Sequence, residues 1–302
     1  MPRTEAVDSR PAFGDPPCQQ EAKNVQTIAG YADGTATVRG IRFHFLEWGD
    51  PAAPPMVLLH GLTGHAHIWD HMAPRLAERF HVLALDQRGH GDSGHAAAYS
   101  TADFTADLEE LVRQRWASTP FVLMGLSMGG HNAMAYAAAH PEQVSRLIVI
   151  DIPPRLKRDP QASWDPTSRP GDVSHPTFAR FEDAVEAARA GTPTAPQANL
   201  EYRTWWNLRE LPDGRKTFKY DPLVPMRWAP ADLWDELPRI APPTLLVRGE
   251  LTLVLPLATA ERMVAAMPDA ELVQVHGSGH SVPTDKPEAL APIVLDWLAR
   301  RR

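Results

Sequence analysis

A chain of 302 residues with a formal net charge of −7 lacks the basic surplus that a nucleic-acid partner demands, so no nucleic-acid partner is expected. Its 43% hydrophobic and 22% charged residues suit one large α/β domain or two small ones. No stretch approaches the roughly 20 consecutive apolar residues of a membrane span, no apolar leader core is visible, and a lone cysteine, Cys18, excludes an intrachain disulfide. A soluble, cytoplasmic protein without membrane contact is the expectation.

Residues 1–24 are polar and interrupted by Pro11, Pro16 and Pro17, which marks a flexible extension with little part in the fold. An antiparallel pair follows, Thr35 to Arg39 and Ile41 to Glu47, turning at Gly40. Four short apolar runs, Met56–Leu59, His81–Leu85, Phe121–Met124 and Leu147–Ile150, lack polar alternation and read as parallel strands covered on both faces. Among them, Ser100-Thr101-Ala102-Asp103 has the form of a capping box and opens a helix with Phe104, Leu108, Leu111 and Val112 along one face. An alanine-rich helix runs from Met128 to Ala139 and stops before Pro141. After a long interval the alternation resumes with a strand at Thr244–Val247, a helix from Leu257 to Met267 and a strand at Glu271–Val275. Leu290, Ile293, Val294, Trp297 and Leu298 stripe a last helix, whose start Pro292 is expected to delay by a turn. The whole implies an α/β class: a mostly parallel, twisted sheet flanked by helices.

The interval 152–235 breaks this rhythm, with twelve of the thirty prolines and five of the nine tryptophans (Trp164, Trp205, Trp206, Trp228 and Trp234). One helix is plausible there, near Phe178 to Ala190. A long excursion inside a compact α/β domain reads as an inserted, mainly helical cap or lid on a core formed by 25–151 and 236–302.

Gly125-Leu126-Ser127-Met128-Gly129-Gly130 lies between a predicted strand and a predicted helix, the setting in which G-x-S-x-G marks a nucleophile elbow. A serine on so sharp a turn needs small neighbours, and the helix that follows points its free amides at the site. Three further segments each follow a predicted parallel strand: His60-Gly61-Leu62-Thr63-Gly64, Asp86-Gln87-Arg88-Gly89-His90-Gly91-Asp92-Ser93, and Gly277-Ser278-Gly279-His280-Ser281. Open α/β sheets assemble their sites at such strand ends. Together with the elbow these segments resemble the α/β-hydrolase fold superfamily, in particular its capped esterases, lactonases and carbon–carbon hydrolases, over about Ala36 to Arg300.

The resemblance implies a serine hydrolase without metal or organic cofactor. Ser127 Oγ needs a base near neutral pH, and an imidazole suits; His280, after the last strand and beside Gly279, is the candidate. The backbone amides of Leu62 and Met128 would bind the oxyanion, with their side chains, Gly61 and the tryptophans Trp205, Trp206 and Trp228 lining the substrate site.

The third catalytic member departs from the common pattern. Many relatives carry an aspartate a few residues beyond the glycine that ends the seventh strand, but here Thr252 and Leu253 stand at those places and carry no charge. Asp151, directly after Leu147-Ile148-Val149-Ile150, is favoured over Glu250, which follows Gly249 too closely. An acid is needed to hold the imidazole in one tautomer.

Other motifs are weaker. Gly89-His90-Gly91-Asp92-Ser93-Gly94 matches G-x-G-x-x-G but does not open into a helix, so a turn anchored by Arg88 is expected instead of a nucleotide site. His65, His67 and His71 lack acidic or cysteine companions and read as a partly exposed helix start, and His131 is expected to point away from Ser127. The favoured activity is hydrolysis of a carboxylic ester or lactone of a medium-sized apolar or aromatic small molecule through an acyl-enzyme. Carbon–carbon bond hydrolysis of a ring-cleavage product and a non-catalytic ligand receptor are the rivals, and the oligomeric state is left open.

Overall fold

The computed structural model describes residues 30–117, 119–156 and 174–301. The expected extension 1–24, Cys18 and Trp164 lie outside the described residues. Eight strands form the main sheet: β1 (Ala32–Val38), β2 (Ile41–Trp48), β3 (Pro55–Leu59), β4 (His81–Leu85), β5 (Phe121–Leu126), β6 (Val144–Ile150), β7 (Thr244–Gly249) and β8 (Ala270–Val275). They lie in the order β1-β2-β4-β3-β5-β6-β7-β8. β2 runs antiparallel to both its neighbours, and every pairing from β4 onward is parallel.

The strands are continuous apolar runs because alternate residues feed two cores. Val57, Leu59, Leu123, Leu147, Val149 and Leu246 face one side, where α1 (Thr101–Trp116), α2 (Met128–Ala139) and α5 (Leu257–Ala266) cover them. Met56, Leu58, Val122, Met124, Ile148 and Val247 face the other, against Trp69, Met72 and the last helix, α6 (Pro287–Arg300), through Leu290, Val294 and Trp297. The capping box of α1 forms as the sequence implies: Asp103 N–H donates to Ser100 Oγ, and Ser100 N–H donates to Asp103 Oδ2 at 3.0 Å.

Pro292 does not delay α6, which starts at Pro287. Its missing N–H costs one bond, to the carbonyl of Glu288, an exposed residue of the first turn where water can take over. The segment between β6 and β7 carries more than the one expected helix. Besides α3 (Phe181–Arg189) it holds α4 (Gln197–Asn207) and a small antiparallel sheet in the order Thr177–Phe178, Lys216–Phe218, Leu208–Glu210. Trp228–Ala229 pairs with Tyr99–Ser100, stitching this segment to the core. Among the described residues, no helix is long and apolar enough to cross a membrane.

Candidate active site

Ser127 stands between β5 and α2 with φ 52° and ψ −120°, a backbone state that costs a non-glycine residue about 1–3 kcal/mol and persists only where its surroundings enforce it. Enforcement comes from close packing at the strand ends. Its N–H donates to the Ile150 carbonyl at 2.8 Å. A Cβ on Gly125 would lie 2.3 Å from the Gly129 carbonyl carbon, and one on Gly129 would lie 2.3 Å from the Leu59 carbonyl oxygen. The glycines of the motif are therefore needed for backbone approach, which lets α2 sit directly behind the serine.

His280 arrives on the loop after β8, with its Nε2 2.9 Å from Ser127 Oγ and its Nδ1 2.6 Å from Asp151 Oδ2. A carboxylate only accepts, so the imidazole proton lies on Nδ1 and the Nε2 lone pair faces the serine hydroxyl. Asp151, fully buried, also has a left-handed φ of 52°. Its N–H donates to Val247 O at 2.8 Å, which turns its side chain toward the β7 loop. There Gly249 N–H donates to Oδ1 at 3.1 Å, and Thr252 Oγ donates to Oδ2 at 2.6 Å while accepting Val254 N–H at 3.1 Å. Glu250 points elsewhere: its Oε2 accepts Gly277 N–H at 2.9 Å and pairs with the exposed His276. The structure thus brings Ser127, His280 and Asp151 together and leaves Glu250 out.

Leu62 and Met128 flank the serine, and neither backbone amide has a hydrogen-bond partner among the described residues. The Leu62 loop is braced from below. His60 Nδ1–H donates to Gly61 O at 2.8 Å, its Nε2 accepts Gln87 N–H at 3.0 Å, and Asn132 on α2 donates to Gln87 Oε1 at 2.9 Å. Burial lowers the His60 pKa, so the ring stays neutral and can accept.

A cleft opens over Ser127 and His280, lined in part by Gly61, Leu62, Ile68, Leu126 and Arg203. Leu62 and Gly61 line it as expected, but the side chain of Met128 is fully buried against Tyr99, Phe104 and Trp228. The three tryptophans also depart from expectation, and none lines this cleft or its neighbour. Trp228 is a strand residue packed on Tyr99 and Phe104, Trp205 meets Phe181 edge-on at 5.7 Å, and Trp206 stacks on His67 at 3.7 Å. Trp206 and Trp228 fasten the segment between β6 and β7 to the core, while Trp205 packs within it beside small apolar clusters around Phe178 and Leu200.

At the expected partly exposed helix start His65 and His67 are instead buried, while His71 is half-buried. His65 Nε2–H donates to Arg203 O at 2.9 Å, and His67 Nδ1–H donates to Asp70 Oδ2 at 2.8 Å. His131 turns away from Ser127, its Nε2–H donating to Ala231 O at 3.0 Å. Arg88 anchors the Asp86–Gly94 turn through two bonds to Asp107, at 2.5 and 2.6 Å. Two contributors escape a sequence reading. Thr252 occupies the place expected for the acid, and that position is the signal. Asp285 fixes the His280 loop, its Oδ2 accepting Gly279 N–H at 2.8 Å and Thr194 Oγ–H at 2.7 Å; no motif announces it.

Known proteins share this fold. The alpha/beta hydrolase fold family model matches residues 54–287. The chain is 31% identical to the esterase Rv0045c of Mycobacterium tuberculosis over 85% of its own length and 86% of the relative's. It is 27% identical to the 2-(acetamidomethylene)succinate hydrolase of Mesorhizobium japonicum over 82% and 88%. A crystal structure of an alpha/beta hydrolase from Novosphingobium aromaticivorans superposes with a TM-score of 0.74 at 28% identity, covering 91% of this chain and all (100%) of that one. The chain therefore belongs to the alpha/beta hydrolase fold family and is a hydrolase of that fold.

Proposed function

We propose that this enzyme hydrolyses a carboxylic ester or lactone of a medium-sized small molecule through an acyl-enzyme. The observation that carries the reading is the unbroken line from Asp151 Oδ2 through His280 to Ser127 Oγ, at 2.6 and 2.9 Å. His280 Nε2 takes the serine proton as Oγ attacks the carbonyl carbon, and Asp151 stabilises the imidazolium. The amides of Leu62 and Met128 receive the oxyanion, each donor contributing about 3 kcal/mol to the transition state. Collapse breaks the ester C–O bond, and the leaving oxygen takes the proton from His280. A water molecule then gives its proton to His280 and attacks the acyl carbon; the acyl C–Oγ bond breaks, Oγ takes the proton back from His280, and the acid leaves.

The segment 152–235 acts in this reading as a cap over the strand ends, since Gly191 and Arg203 roof the cleft above Ser127. Ile68 and Leu126 offer an apolar wall to the substrate's hydrocarbon part. The relatives' names speak of an esterase, which fits this chemistry, and of a hydrolase of a substituted succinate, a substrate whose name contains no ester. The test is turnover of a short 4-nitrophenyl ester with a pre-steady-state burst of nitrophenolate. Ser127→Ala is expected to lower kcat by about 10³-fold or more. An undiminished rate in Ser127→Ala would overturn the reading.

A further inference from the structure

Arg203 is placed unlike any other cation near the site. It sits on α4, where its carbonyl accepts His65 Nε2–H at 2.9 Å, so the helix is pinned at this residue above the His60–Gly64 loop. It lines the cleft that holds Ser127 and His280, and it also lines a second cavity beyond it. Thr63 and Gly191 border both spaces, so Arg203 stands at their junction. Among the described residues, no other lysine or arginine lines either one.

Among the described residues, no hydrogen bond or ion pair engages the guanidinium. The carboxylate whose charge reaches it most is Asp285, which is already committed through Oδ2 to Gly279 N–H, Ser278 Oγ–H and Thr194 Oγ–H. Tyr220, the other group acting on it, has its pKa raised by burial and is neutral at working pH. Burial lowers the guanidinium's own pKa from its usual value, and the side chain still stays charged. The second cavity holds further unused capacity, because Thr204 Oγ and Asn207 Oδ1 are buried with no hydrogen-bond partner. The residue is half-buried, and where structural arginines ordinarily acquire a partner from the protein, this one lines the cleft instead.

We propose that Arg203 receives a carboxylate carried by the substrate, so that the ester cleaved at Ser127 is an anionic one, such as the half-ester of a dicarboxylic acid. A single guanidinium balances one carboxylate and offers it two parallel N–H donors, with Thr204 Oγ available to a remaining lone pair. A phosphate dianion would lack a second cation here. The inference rests on the ester-hydrolase reading for its chemistry, but the anion site can be tested apart from it.

Methanol release from the monomethyl half-esters of glutaric, adipic and suberic acids is compared with that from the methyl esters of the matching monocarboxylic acids. The wild-type enzyme is expected to prefer the half-esters in kcat/KM, chiefly through KM. Arg203→Gln is expected to reduce that preference ratio by about 10- to 100-fold, the range for a charge-assisted hydrogen bond, and Arg203→Lys to restore part of it. Circular dichroism melting checks that the variants fold. An equal preference ratio in wild type and Arg203→Gln would overturn the proposal. If no ester of either kind is turned over, the ester-hydrolase reading fails, and calorimetry then decides on Arg203. Glutarate bound by Ser127→Ala but not by the Arg203→Gln double variant supports the carboxylate site. Equal or absent glutarate binding, or tighter binding of inorganic phosphate, overturns it.

Discussion

Asp151 accepts three hydrogen bonds on two oxygens, and two of the donors come from the β7 loop, where other family members place the acid itself. The carboxylate and the threonine hydroxyl have in effect exchanged sides of one short contact. Asp151→Asn is therefore expected to cut kcat by about 10³- to 10⁴-fold, because an amide in its place favours the wrong imidazole tautomer. Thr252→Val removes one neutral donor and is expected to cost about 10-fold in kcat. Glu250→Gln, exposed and paired with His276, is expected to leave kcat unchanged. Steady-state kinetics on one ester ranks the three, and a Glu250→Gln loss exceeding that of Asp151→Asn would reverse the assignment. From sequence the motifs marked Ser127 and His280, whereas the acid stayed ambiguous because only the folded sheet places the ends of β6 and β7 side by side. The tryptophans misled for a related reason: composition counts aromatic area but does not say which way it faces.

Buried histidines at this scale also set a pH dependence. Both nitrogens of His44 face carboxylates, Asp86 at 2.7 Å and Asp33 at 3.2 Å. Burial opposes its charge, yet these hydrogen bonds push its pKa up to about 10. A raised pKa gives stability that is complete below about 6.5, the unfolded value, and is lost as pH climbs toward 10. His131 and His90 are the opposite case: burial lowers them to about 4 and about 3, so their contribution holds above 6.5 and is lost as pH falls. The melting temperature is expected to decline on both sides of neutrality. His44→Gln should flatten the alkaline limb; an alkaline slope equal to wild type would show that this cluster does not supply it.

Among the elements, the site depends on how closely two loops meet. A Cβ on Gly249 would lie 1.9 Å from the Gly279 carbonyl oxygen, one residue from His280. Gly249→Ala must push that loop aside and is expected to lower kcat by about 100-fold, the usual effect of a displacement near 1 Å. Far-UV circular dichroism should stay unchanged; full activity in this variant would mean the His280 loop tolerates the shift. The core elements were legible because apolar runs of strand length alternate with capped amphipathic helices. α4 was not, since it begins directly after Pro196 within a proline-rich interval. Proline there occupies the cap, where no N–H is required, so its presence hides a helix instead of breaking one.

For the molecule as a whole, one sheet separates two apolar layers and delivers the loops after β3 to β8 to the same edge. Leu123 in the middle of that sheet is fully buried, and Leu123→Ala is expected to lower unfolding stability by about 2–5 kcal/mol in urea titration. A change below 1 kcal/mol would argue that the layer repacks freely. The proposed chemistry sits at that edge, where a serine, an imidazole and a carboxylate drawn from three separate strand ends form one hydrogen-bonded path. Labelling with a fluorophosphonate, followed by peptide mass spectrometry, tests that path most directly. Rapid modification of Ser127 alone, slowed by orders of magnitude in His280→Gln, is the expected result. A Ser127 that stays unmodified, or reacts equally fast without the imidazole, would contradict it.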